Sequence, residues 1–194
     1  MCVIIVKPAG VKMPDSAIIN AAYTANPHGC GMVSTNVHYK GLSLKSLKKH
    51  LKQVSDDEPC IIHFRLATHG SIKTANCHPF HRGNVWFAHN GILSIKPVGD
   101  MTDSETAFQN IIYPQIALYG YGSAEMDDAV YSVIGYSKFA FLQDDKLRLY
   151  GDFIKQDDGC YYSNLRFMSY VGWEQRYRLQ TGKKGSLITT GYAN

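Results

Sequence analysis

The sequence predicts an α+β fold. Strand-like runs crowd its first half and helical patterns its middle, without the strict alternation a parallel α/β sheet requires. Aromatic residues, 13 Tyr and 8 Phe among 194, favour a sheet-containing fold over a helical bundle. With 45% hydrophobic and 19% charged residues, the composition is that of one globular domain, or one domain with an appendage.

Taken in order, CVIIV (2–6) is a short apolar run bounded by charge and reads as a buried strand. Asp15-Ser16 offers a helix start, and AIINAAYTA carries the helix to Asn26-Pro27. GCGMVSTN and VHYKGLS read as two strands with a turn between them. In LSLKSLKKHLKQV, Leu44, Leu47 and Leu51 share one helical face and the lysines take the other. PCIIHFRLAT and NVWFAHNG are strands, the second ending at an Asn-Gly turn. SETAFQNIIYPQIALY is a helix interrupted or kinked at Pro114, and SAEMDDAVYSVIG is a second helix. SKFAFLQ and KLRLYGD form a hairpin about Asp144-Asp145, and GCYYSN is one more strand. From Leu165 to Asn194 the pattern weakens and assigns no element.

Composition also excludes classes. No apolar run approaches the roughly 20 residues that span a bilayer, and the N-terminus lacks a signal peptide's apolar stretch and cleavage site. A cytoplasmic protein without a membrane partner is expected. The net charge of +4 is mild. Its basic runs, KSLKKHLK (45–52) and RYRLQTGKKG (176–185), read as a solvated helix face and a solvated tail, so nucleic acid is not an expected partner. Five cysteines, at 2, 30, 60, 77 and 160, form no CxxC pair and suggest no disulfide framework. Cys60, His63, His69, Cys77, His78, His81 and His89 are dense, but none of their spacings makes a compact zinc framework; His78 and His81 lie three apart in a Pro-containing loop. No metal and no cofactor is expected. Cys30, Cys60, Cys77 and Cys160 read as buried thiols, and His69, His78 and His89 as supports for loops.

Chemistry concentrates in FRLATHG (64–70) with NCHPF (76–80), in FAHNGIL (87–93) and in TDSE (102–105), each at a strand end or a helix start. Arg65 closes an apolar strand, and its planar fork suits a carboxylate. Asp103 stands at a helix start, where it is either an N-cap or a partner for a substrate ammonium. Asn90-Gly91 is either an ordinary turn or a side-chain amide beside an unobstructed N–H, which is what an oxyanion hole needs. Together these groups describe a site for an α-amino acid with a reactive carbonyl. Cys2 is the candidate nucleophile. Its base is any of the eight histidines or, once Met1 is removed, its own α-amine, whose ordinary pKa is about 7.7–8.0. A small residue at position 2 permits that removal.

The ordered set Cys2, RLATHG (65–70), NCHPF (76–80), HNGIL (89–93) and TDSE (102–105) resembles the glutaminase domain of the class II glutamine amidotransferases, a branch of the N-terminal-nucleophile (Ntn) hydrolases. NPHGCGMV (26–33) resembles the corresponding family segment. The resemblance implies a four-layer αββα sandwich, two antiparallel sheets flanked by helices. It implies that Cys2 attacks the side-chain amide of L-glutamine, and that Asn90 and Gly91 stabilise the oxyanion. Arg65 holds the substrate α-carboxylate and Asp103 its α-ammonium, with Thr68 and His69 of the same motif completing the substrate-binding group. Val3 stands where many members have glycine, and Leu66 where sugar-type members have an aromatic residue, so no subfamily follows. The expected organisation is a glutaminase domain over 2–165 and a basic C-terminal extension over 166–194, packed on or trailing from it. That length has room for the glutaminase and little else. Ammonia would go to a separate synthetase in trans. The alternatives are a stand-alone γ-glutamyl amide hydrolase and a silent module that binds glutamine or docks.

Overall fold

The computed structural model describes residues 2–67 and 71–172. Two antiparallel sheets stack face to face. The first runs β3 (His38–Gly41), β2 (Cys30–Ser34), β4 (Cys60–Phe64), β1 (Val3–Lys7), β10 (Tyr161–Tyr162), β9 (Ile154–Lys155). The second runs β5 (Phe80–Arg82), β6 (Val85–Asn90), β7 (Lys138–Gln143), β8 (Lys146–Tyr150). Strand alternation sorts the apolar side chains into three layers. Val3, Ile5, Met32, Ile62 and Phe64 leave the first sheet on its outer face, against α1 (Ser16–Ala25) and α2 (Leu44–Leu51). Phe87, Phe139 and Phe141 leave the second sheet against α3 (Asp103–Ala107), α4 (Tyr113–Tyr119) and α5 (Ala124–Ile134). Ile4, Val6, Val33 and Ile61 meet Ala88, Ala140 and Leu142 between the sheets. This is the expected αββα sandwich.

The helix starts follow capping chemistry. Asp15 accepts the Ala17 N–H at 2.7 Å, Ser43 the Ser46 N–H at 3.2 Å, Thr102 the Glu105 N–H at 3.1 Å and Ser123 the Met126 N–H at 3.2 Å. Thr102, not Asp103, is therefore the cap of α3, which leaves the Asp103 carboxylate for other work. At Pro114 the chain widens into a π-helical turn, Phe108–Ile112, between α3 and α4, and Pro114 falls in the first turn of α4, where its missing N–H costs no helix bond. The hairpin about Asp144-Asp145 forms as β7 and β8. β5 and β9, three and two residues long, have too little pattern to be seen in the sequence.

Past Leu165, a 3₁₀ turn (Arg166–Tyr170) places Phe167 and Val171 in the outer core of the first sheet, beside α1. The basic run 176–185 lies outside the described residues. Cys30, Cys60, Cys77 and Cys160 are free and buried. No helix among the described residues is long and apolar enough to cross a membrane.

Candidate active site

Strand parity explains how distant motifs meet. In β1, Ile4 and Val6 face the second sheet, so Cys2, two residues earlier, turns to the same side. In β4, Ile61 faces inward and Arg65 shares its parity; β1 and β4 pair Val3 with Phe64, so Cys2 and Arg65 continue the ladder side by side. In β6, Ala88 faces the first sheet and Asn90 follows on that face. The gap between the sheets opens here into a cavity of about 540 Å³ whose lining includes Cys2, Arg65, Gly91 and Asp103.

Cys2 Sγ accepts the Leu66 N–H at 3.4 Å. Burial pushes its thiol pKa up, while the Leu66 N–H and the positive charge of Arg65 pull the other way. Arg65 is buried and one guanidinium N–H donates to Ser71 O at 3.3 Å. His28, in the NPHGCGMV segment, accepts the Ala67 N–H at 3.0 Å and so braces the chain just beyond Arg65. Asp103 Oδ2 accepts the Leu93 N–H at 3.2 Å, tying the helix start to the loop after Asn90-Gly91. Gly91 is required by packing: at φ 151° its absent Cβ would lie 2.1 Å from Ser137 Oγ. Asn90 is buried behind the cavity, with its amide nitrogen 2.8 Å from Ser163 Oγ and its Oδ1 without a partner among the described residues. Thr68 and His69 lie outside the described residues.

His78 and His89 line the cavity, and His63 packs against His78. His63 and His78 rings are 4.4 Å apart and His78 and His89 6.3 Å apart, all buried. Gly31 makes this possible, since a Cβ there would sit 2.1 Å from His78 O. His63 Nε2 meets His89 O at 3.1 Å, and His89 Nδ1 meets Ser104 Oγ at 2.7 Å. Desolvation drives the His63 pKa to about 3 and the His89 pKa to about 4, and holds His78 well below 6.5. All three are neutral at pH 7. Among the described residues, no group of three or more His, Cys, Asp or Glu could hold a metal ion. Acid stability follows with a definite sign. A histidine whose folded pKa is lowered binds its proton in the unfolded chain first, so stability is lost as pH falls from 6.5 toward 4. Each such histidine steepens the loss by up to about 1.4 kcal/mol per pH unit. Urea unfolding at pH 7 and pH 4.5 is expected to show a drop of several kcal/mol; an unchanged midpoint would contradict a neutral buried trio.

The sandwich matches an Ntn-hydrolase fold. Residues 49–134 match the family model of the class-II glutamine amidotransferases, a stretch that contains Arg65, Asn90, Gly91 and Asp103 and ends short of Cys2 on its N-terminal side. That match covers less than half of the chain. Among solved structures, one described as the allosteric regulatory enzyme of purine biosynthesis is similar in fold, with a TM-score of 0.55 and 16% identity over 89% of this chain and 43% of that one. The chain thus spans less than half the length of that protein. No curated protein matches it in sequence.

Missing from the sequence reading were Ser163, Asn164 and the Leu66 N–H. The first two close GCYYSN, which reads as a plain strand. Nothing local shows that their partners are Asn90 and Cys2, on other strands.

Proposed function

We propose that this chain is a glutaminase that releases ammonia for a separate synthetase. What carries the reading is the convergence of Cys2, Arg65, Gly91 and Asp103 on one cavity. One cation and one anion match the two charges of a free α-amino acid. A sulfur and an N–H beside a glycine match an amide carbonyl under attack. Arg65 takes the α-carboxylate of L-glutamine and Asp103 its α-ammonium. Thr68 and His69, of the same sequence motif as Arg65, complete the substrate-binding group. As the resemblance implies, the base is the α-amine of Cys2 after removal of Met1; the three buried histidines are neutral and lie outside this step. That amine takes the thiol proton, and Sγ attacks the side-chain carbonyl. The oxyanion is held by Gly91 N–H and the Asn90 amide. The proton passes to the departing ammonia, and water then releases glutamate from the γ-glutamyl thioester.

A second reading, a module that binds glutamine without turning it over, is favoured by one observation: Asn90 is buried and is not among the residues that line the cavity. Intact mass before and after incubation with a diazo-ketone analogue of glutamine, with peptide mapping, tests the first reading. Loss of Met1 and a single adduct on Cys2 is the expected result. Loss of Met1 with Cys2 unmodified would remove Cys2 from the chemistry.

A further inference from the structure

Ser163 is fully buried and sits where the two sheets meet. Its N–H donates to Ile4 O at 2.9 Å, as the β1–β10 ladder requires. The return bond of that ladder is replaced. The Ile4 N–H donates to Ser163 Oγ at 2.8 Å, and Ser163 O instead accepts from the Lys138 ammonium, on the second sheet. The freed hydroxyl reaches Asn90 at 2.8 Å. The next residue, Asn164, donates its amide N–H to Cys2 O at 2.9 Å and accepts the Arg166 N–H at 3.2 Å. One dipeptide therefore touches the nucleophile's backbone and the expected oxyanion donor.

Hydrogen-bond accounting decides which end of Asn90 faces Ser163. A serine hydroxyl has one proton and two lone pairs. With Asn90 Nδ2 toward it, Ser163 accepts twice, its own proton finds no acceptor among the described residues, and Asn90 Oδ1 is buried without a partner. A half-turn of the carboxamide about Cβ–Cγ fills the same volume. Ser163 then donates to Oδ1 and accepts only from Ile4. Both oxygens are satisfied, and Nδ2 takes the place of the orphan atom with both protons free.

Resting on the glutaminase reading, we propose that Ser163 and Asn164 are positioning residues of the Cys2 site: Ser163 holds Asn90 by its Oδ1, so that Nδ2 is free to receive the oxyanion, and Asn164 holds Cys2 by its carbonyl. The test is steady-state hydrolysis of glutamine by the full chain, with iodoacetamide labelling of Cys2 in parallel. Ser163→Ala is expected to lower kcat by about 10²–10³-fold, the effect of losing one oriented oxyanion donor. KM and the labelling rate should stay within about threefold, since the nucleophile, Arg65 and Asp103 are untouched. Ser163→Thr keeps the hydroxyl and should recover kcat to within about tenfold of wild type. Should the alanine variant not fold, Ser163→Cys keeps the volume with a weaker donor and should lower kcat by more than about tenfold. Asn164→Ala should slow turnover and labelling together. A kcat within threefold of wild type for a folded Ser163→Ala or Ser163→Cys variant overturns the proposal, as does a fall in kcat matched by the labelling rate at Ser163. Wild-type protein that neither hydrolyses glutamine nor takes the diazo-ketone overturns the glutaminase reading itself, a different result from an active wild type with an indifferent Ser163.

Discussion

Cys2→Ala is expected to lower kcat for glutamine hydrolysis by roughly 10⁴-fold or more, to the level that substrate binding and oxyanion donors sustain without a nucleophile. No other sulfur can substitute. Cys2 is the only cysteine lining the cavity. Cys30 and Cys160 are buried with thiol pKa values pushed up to about 12, and burial raises Cys60 and Cys77 as well. Burial also raises Cys2, so its thiolate is scarce at pH 7 and the proton must go to a base during attack. The α-amine, with an ordinary pKa of about 7.7–8.0, is matched to that task. Cys2 is only partly buried, so the truncation is expected to move the melting temperature by no more than about 3 °C. Glutamate release at saturating glutamine, with a melting curve of the same sample, makes the comparison. A folded Cys2→Ala variant that keeps more than a hundredth of wild-type turnover would place the chemistry elsewhere.

The parts of this site that were legible in the sequence are those whose chemistry is local. Arg65 at the end of an apolar strand, a glycine after Asn90 and an acid at a helix start each announce a role by type and neighbours. The layered sandwich follows only from the motifs that resemble a known family: VIIV is apolar at every position, so which of its side chains face the second sheet depends on the pairing of strands. What stayed hidden depends on pairing between distant strands. Ser163 is one of many serines until β10 lies against β1 and Asn90 arrives from the other sheet. The capping role open to Asp103 could not be settled from TDSE, because Thr102 is as good a cap and the choice depends on backbone geometry. The π-turn before Pro114 was visible only as an interruption. A proline announces a lost hydrogen bond, not the way the chain absorbs it.

Lys7 shows the same limit, and it carries the second large effect. It ends the first strand, and nothing beside it in the sequence marks it as buried, yet it is fully buried. Its parity is that of Val3 and Ile5, so its stem points into the outer core. Its ammonium is received by backbone carbonyls alone: Glu58 O at 2.6 Å, Asp56 O at 2.7 Å, Ser55 O at 3.2 Å and Pro8 O at 3.4 Å. These carbonyls belong largely to the turn that leads into β4, so the ammonium clips that turn onto β1. Lys7→Met keeps the stem and removes the donor. Asp56 O retains the Gly10 N–H, Ser55 O the Glu58 N–H and Pro8 O the Val11 N–H, so among the described residues Glu58 O is the carbonyl left without a partner. The expected loss is about 1–3 kcal/mol, the cost of one buried acceptor left unpaired. For a chain of this size that corresponds to a melting temperature lower by roughly 2–12 °C. The site itself should be spared. Lys7 lies five residues along the strand from Cys2, roughly 17 Å at strand rise, and the β1–β4 ladder between them keeps its register without the clip. Glutamine turnover well below the melting temperature is therefore expected to match wild type while the unfolding midpoint falls. A melting temperature within 2 °C of wild type would mean that the carbonyl cage contributes nothing to stability. A fall in turnover as large as that of Cys2→Ala would mean that the far end of β1 sets the position of its first residue.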